Sequence, residues 1–438
     1  MITTLVGKTF LTAYNRKYKQ DYSAKQFFEK VYFELFFNHS KYMQWVTNSP
    51  FVQMKAGQKP DKLSIDDRKE KLLALFEKAR NEVPDASFAL GYSASEVKEY
   101  ASTSGLVSDI LISTSEEDVY LSWIGSGLGI GVAGGFSILI NDEQIVLETF
   151  EGWKYYRKYL NDPTLIKLRG NQINSWNGQW LTYKLGNNYR DDFDFTTLSK
   201  EGIFKIDVNL VEIDTINWSN LFFSLSRLYP DKVLNSYIYS FGQTNKTIGF
   251  IPIYLKSGTL LKSVFRQLFY SDEVFDNRDF QSLFGMHIKR ACEFGNIGLQ
   301  TLQPQNIKKY IEGDKNLTFK KEDETIIYQS YKTWLVAMLS KNKGEITDYT
   351  LELATLILKY RASAKGTNRK NLIEKELFGA KSKKGFIEAL TVMVDDIESS
   401  DLDKLKILRN EVHMMTNEEF GYFTTLLKFD YAFLEKQS

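Results

Sequence analysis

At Tyr328 the chain changes texture. Upstream, apolar residues alternate over short stretches or gather in brief helical runs between glycine-rich turns. Downstream, alternation stops and helical spacing dominates across residues 334–339, 349–360, 371–378, 383–394, 402–413 and 418–433. Alternation with a period of two suits a strand with one buried face, whereas spacing of three and four suits a helix. The switch therefore predicts an α+β protein. A mixed α/β body with antiparallel strands occupies residues 1–327, and a C-terminal helical bundle occupies residues 328–438.

A chain of 438 residues, 43% hydrophobic and 25% charged, can bury cores of that kind. One cysteine, Cys292, excludes an internal disulfide, and with three histidines it excludes a Cys-rich zinc site. No metal, cofactor or catalytic set is expected. No apolar run is long enough to span a bilayer and the first twenty residues lack a signal-like apolar core, so no membrane is expected and a cytoplasmic location is. With a net charge of +1, any nucleic-acid surface must come from local patches.

Along the body, residues 1–10 read as a strand or extended arm. Ser23 caps a helix to about residue 37, and Ser64 with Asp67 forms a capping box for a second helix over 64–81. Residues 106–114 and 118–125 read as strands. Gly129, Gly131 and Gly134 match the dinucleotide pattern G-x-G-x-x-G, but a strand follows where that site needs a helix. Two strands joined by a glycine turn, open to close backbone approach, fit better. A helix covers 143–160. Residues 202–214 alternate as a half-buried strand, 217–228 read as a helix, and two strands flank residues 242–247.

Four segments carry candidate binding residues. Between Arg169 and Lys184, Asn171, Gln172, Asn174, Asn177 and Gln179 surround Trp176 and Trp180 in a predicted strand-loop-strand. Amides that donate and accept, beside aromatic faces, suit nucleotide edges and faces. Gln243, Asn245 and Lys246 occupy a hairpin tip able to enter a DNA groove. A loop over residues 38–62 carries Trp45, Asn48, Phe51, Lys55 and Lys59, as an RNA or partner grip or as a surface loop with an apolar anchor. In the bundle, Lys359, Arg361, Lys365, Arg369, Lys370, Lys375, Lys381, Lys383 and Lys384 precede the acids Asp395, Asp396, Glu398, Asp401 and Asp403. A basic face of this kind can track phosphates. Asp207, Glu212 and Asp214 suggest a metal-dependent nuclease, but the lysine such sites place two residues after the acid is missing from Asp214.

The order of body and bundle, with WVTNSPFV at residues 45–52, SGLGIGVAGG at 126–135, GNQINSWNGQWL at 170–181 and SFGQTNKTIGFIP at 240–252, resembles the large subunit of type I CRISPR surveillance complexes (Cascade), most nearly type I-B. Some type I-B subunits carry paired C-x-x-C zinc ligands, which one cysteine cannot supply. The resemblance implies a non-catalytic subunit beside the crRNA 5′ handle. It would read the PAM in target duplex DNA, help unwind it, hold the displaced strand, contact other Cascade subunits and recruit the helicase-nuclease. The alternatives are a metal-dependent nuclease or other defence-associated enzyme, and a protein-only scaffold.

Overall fold

The computed structural model describes residues 1–45, 49–86, 88–92, 113–240, 247–271, 273–305, 322–340, 349–364 and 366–437. The protein is α+β, with its antiparallel strands in the first part of the chain and helices at the end. Two compact units form. The first comprises Met1–Leu255 with Ile288–Ile297, and the second Lys256–His287 with Gly298–Ser438. The predicted boundary at 327/328 falls inside the second unit.

The first unit is built on two helices that the sequence pattern hides. Helix α1 (Ile2–Tyr18) replaces the predicted arm, because Thr3, Val6, Phe10 and Ala13 recur at helical spacing and are buried together. Its partner is α3 (Glu116–Gly127), which replaces the strand expected at 118–125; α2 is Ile65–Asn81. Val119, Leu121 and Trp123 alternate in sequence, but every residue from Val119 to Gly127 is buried. A helix enclosed on all sides has no polar face to set its period, so alternation misleads there. α1 and α3 cross at glycines. A Cβ on Gly7 would lie 2.0 Å from the Leu121 carbonyl oxygen, and one on Gly125 would lie 1.9 Å from that of Thr3. Neither position accepts a larger residue without moving backbone.

A four-stranded antiparallel sheet follows in the order β1 (Ile130–Val132), β2 (Phe136–Ile140), β3 (Val233–Ser240), β4 (Thr247–Tyr254). Between β2 and β3 lie α4 (Glu143–Asn161), α5 (Ile173–Lys184) and α6 (Trp218–Leu228). Helix α5 stands where a strand-loop-strand was expected, and its residues from Trp176 to Tyr183 are all buried. The glycine run does admit close backbone. A Cβ on Gly131 would lie 2.8 Å from the Asn174 carbonyl carbon, and one on Gly178 would lie 2.4 Å from the Gly131 oxygen. Residues 202–214 form a short hairpin, Lys205–Ile206 with Val211–Glu212, rather than one half-buried strand. Val208 at its turn is 78% exposed, so the alternation there marks no buried face.

The Ser23 cap and the Ser64–Asp67 capping box form as predicted, and Gln26 completes a second box at Ser23. The second unit opens with α7 (Lys256–Phe269) and continues through α8 (Glu322–Leu339), α9 (Tyr349–Ala362), α10 (Lys383–Val394), α11 (Leu402–Met414) and α12 (Asn417–Gln437). Leu353, Ile357, Leu390, Leu408, Phe423 and Leu427 share its core. Beside them, Lys332 Nζ and Asp430 Oδ1 form a buried ion pair at 2.8 Å, and Tyr328 and Thr350 hydroxyls donate to the same carboxylate.

Candidate nucleic-acid interface

The amide-rich segment turns inward. α3 ends at Gly127, leaving carbonyls with no helical donor. Asn177 Nδ2 donates to Gly127 O and Gly129 O at 2.8 Å each, and its Oδ1 accepts from Trp153 Nε1 at 3.1 Å. Asn174 Nδ2 donates to Gly129 O at 3.0 Å and to Ser137 Oγ at 3.2 Å. Gln172 bonds both backbone groups of Ile213, acting as a one-residue strand partner. Gln179 Nε2 donates to Asp214 O at 2.9 Å. Trp176 stacks on Tyr156 with ring centres 5.3 Å apart, and its Nε1 donates to Gly152 O. Asn177 and Gln179 are therefore corrected from nucleotide readers to core residues, and the amide nitrogens of Asn174 and Gln172 hold backbone and Ser137 rather than facing a groove. Asn171 is exposed at φ 54°, with its backbone N–H pinned to Tyr42 O. Lys184 Nζ lies 3.9 Å from the centre of the Tyr189 ring.

The loop before α2 is pinned from the same side. Buried Arg157 donates to Leu35 O, at the end of the preceding helical run, and to Lys41 O in the loop after it. His39 Nδ1 accepts from the Lys41 N–H at 2.9 Å. Burial, and then the nearby Arg157 cation, lower the His39 pKa to about 4. Phe51 is an internal anchor stacked on Phe37, while Lys55 and Lys59 are exposed and Trp45 is partly so. Asn48 lies outside the described residues.

The basic run in the second unit is largely answered by the acidic run after it. Lys359 pairs with Glu398 at 2.5 Å and Asp401 at 3.1 Å. Hydrogen bonds to these carboxylates raise the lysine pKa, and Lys359 and Lys404 lower that of Asp401. Arg361 pairs with Glu435, Arg369 with Asp396, Lys370 with Glu374 and Lys384 with Glu388. Lys383 Nζ donates to Met415 O at 2.8 Å. The expected uniform basic face is thus a mixed one, because charges segregated along the chain meet in space. Lys381 and Lys384 remain well exposed. Lys365 lies outside the described residues.

Glu212 is bound by Arg169 and Lys205, and Lys205 also lies 4.0 Å from Asp214. Among the described residues, no cluster of three or more His, Cys, Asp or Glu can hold a metal ion. No described helix is long and apolar enough to cross a membrane.

Gln243, Asn245 and Lys246 also lie outside the described residues, but the strands on either side of them are described. β3 and β4 pair from Val233↔Tyr254 to Tyr239↔Thr247, with one irregularity at Ile238/Tyr239. Leu234, Ser236 and Ile238 of β3, with Ile251 and Ile253 of β4, are buried on one face. The opposite face carries Asn235 and Tyr237 on β3, and Phe250 and Tyr254 on β4. Phe250 is 67% exposed and Tyr254 44%. Tyr237 and Phe250 are register partners with ring centres 5.1 Å apart. The sequence reading missed these rings, although Phe250, Pro252 and Tyr254 alternate with the buried Ile251 and Ile253. A second signal was present. Residues 232–255 contain Lys232 and Lys246 and not one carboxylate, and Lys232 pairs with Asp142 at 2.6 Å.

Comparison with known families, curated proteins and solved structures finds no match to this chain.

Proposed function

We propose that this protein is a non-catalytic, nucleic-acid-binding subunit of an RNA-guided surveillance complex, in the place of the large subunit of a type I CRISPR Cascade. The observation that carries the reading is the antiparallel β3–β4 ribbon, whose strands contain no carboxylate and turn aromatic rings outward. A polyanion meets no carboxylate on these two strands. Gln243, Asn245 and Lys246 connect the two strands in sequence. Amides at a ribbon tip can bond adenine in the major groove or acceptors in the minor groove, and a lysine can contact phosphate or guanine. In this reading the tip recognises the PAM of target duplex DNA while crRNA pairing recognises the target. The subunit would sit by the crRNA 5′ handle, help unwind the duplex, hold the displaced strand and recruit the helicase-nuclease, in the cytoplasm.

The test compares correct and altered PAM duplexes at fixed salt, in the assembled complex. Gln243→Ala and Asn245→Ala are expected to cost about 1–3 kcal/mol on the correct PAM only, whereas Lys246→Ala weakens both duplexes alike. Full discrimination in both amide variants would remove the tip as the reader. Divalent-ion-dependent cleavage by the isolated protein that Asp207→Ala abolishes would replace the reading with the nuclease one.

A further inference from the structure

We infer that the outward face of the β3–β4 ribbon is a base-stacking platform for single-stranded nucleic acid, with Phe250 and Tyr254 as the stacking rings and Tyr237 as the support that holds Phe250 upright. The inference rests on the proposed nucleic-acid function and names the strand type and the surface. Exposing a phenylalanine by two thirds on a regular strand leaves apolar area in water, and a hairpin of this length does not need it for folding. Tyr237 meets the Phe250 ring edge-on at 66°, which leaves the broad side of one ring free for a partner. Behind Tyr237, Tyr239 is buried and stacked on Phe88 at 5.4 Å, so the ring row is anchored in the core and runs outward. The rings are joined by Asn235, an amide directly opposite Pro252 and able to bond a base edge.

Two observations choose nucleic acid over a protein strand or an apolar protein surface. The first is charge, since neither β3 nor β4 brings a carboxylate to the face. A phosphate backbone requires that absence, and an apolar protein partner does not. The second is the edge of β4. The Tyr254 N–H donates to Ile297 O at 2.8 Å, the Ile297 N–H donates to Pro252 O at 2.9 Å, and Pro252 has no N–H. That half of the edge, beside Tyr254, is closed to an added strand, so a partner there must use the face. Rings on an open antiparallel face accept any base, which makes the platform tolerant of sequence.

The experiment measures binding of the full-length protein to a labelled 20-nucleotide DNA strand, an RNA strand of the same sequence, and the matching DNA duplex. Phe250→Leu and Tyr254→Leu keep apolar bulk but remove the ring. Each is expected to weaken single-strand binding about tenfold, to affect duplex far less, and to leave the salt slope unchanged because the cations all remain. Phe250→Tyr is expected to restore wild-type affinity, and unchanged thermal melting excludes misfolding. The DNA and RNA arms tell a displaced-strand platform from a guide platform, and a ring-dependent loss on either supports the inference. Wild-type single-strand affinity in both leucine variants would overturn it, as would equal loss on single strand and duplex. So would loss of partner-protein binding with oligonucleotide affinity intact. Lys246→Glu separates the two levels. If Lys246→Glu weakens duplex binding while Phe250→Leu does nothing, the platform falls and the nucleic-acid reading stands. If the wild type binds no oligonucleotide, both fall.

Discussion

Helix α5 and the β3–β4 ribbon are both rich in amides and rings, yet their side chains have opposite fates. In α5 the Asn177 amide faces into the first unit, because a neighbouring helix ends there and leaves carbonyls that need donors, and the indoles of Trp176 and Trp180 donate to carbonyls of α4. In the ribbon the backbone groups pair with each other, and the rings on one face have nothing to satisfy. The comparison teaches that a cluster of Asn and Gln signals binding only when no chain terminus or helix end lies close enough to use it. Composition alone does not separate the two cases.

The sharpest way to break the contrast is Asn177→Ala. It removes three hydrogen bonds and strands Gly127 O and Trp153 Nε1 in the core, while Gly129 O keeps its bond from Asn174. The expected loss is about 3 kcal/mol in chemical denaturation, with nucleic-acid affinity per folded molecule unchanged. Unchanged stability together with weaker binding would return α5 to the interface. Gly178→Ala is next, at about 2 kcal/mol, because the added Cβ lies 2.4 Å from the Gly131 oxygen. On the ribbon side the stability effect nearly vanishes, and Phe250→Leu should move stability by less than about 0.5 kcal/mol, as an exposed substitution does.

A pH titration sharpens the α5 side. The backbone N–H groups of Asn171 and Ile173 bond Tyr42 O and Met43 O, in the loop that His39 helps to shape. The folded His39 has its pKa lowered to about 4, below its ordinary value of 6.5. Above pH 6.5 both folded and unfolded chains hold it neutral and its contribution is fully present. Between pH 6.5 and about 4 the unfolded chain takes the proton first, so stability falls with acid and then levels. His39→Asn is expected to flatten that limb in melting curves taken across the range; an identical limb would place the acid sensitivity elsewhere. The smallest effect concerns the second unit. Lys381→Glu with Lys384→Glu should lower the slope of log affinity against log salt by about one for each phosphate no longer neutralised, without changing stability. An unchanged slope would mark these lysines as solvated.

Much of the fold was legible. The helices after residue 349, the cap at Ser23, the capping box at Ser64 and the β3–β4 pairing follow directly from spacing and turn chemistry. The helices α1, α3 and α5 did not, for one physical reason. Burial on nearly every side removes the polar stripe that gives a helix its period, and glycines at Gly7, Gly125 and Gly178 mark close packing rather than turns. Ser115 with Asp118 was the available sign of a helix start at α3. The candidate site was less legible. The pairing of Lys359 with Asp401 across forty-two positions is tertiary, so a local charge run overstated the basic face. The acid-free run at 232–255 was visible in the letters, but which rings on it point outward depends on the strand register.

The central claim is that bound nucleic acid touches the ribbon and not α5. The most direct measurement is photo-crosslinking of a single-stranded oligonucleotide to the full-length protein, with the joined peptides identified by mass spectrometry. Crosslinks to residues 233–254, centred on Phe250 and Tyr254, are the expected result. Crosslinks confined to residues 171–184, with none on the ribbon, would contradict it.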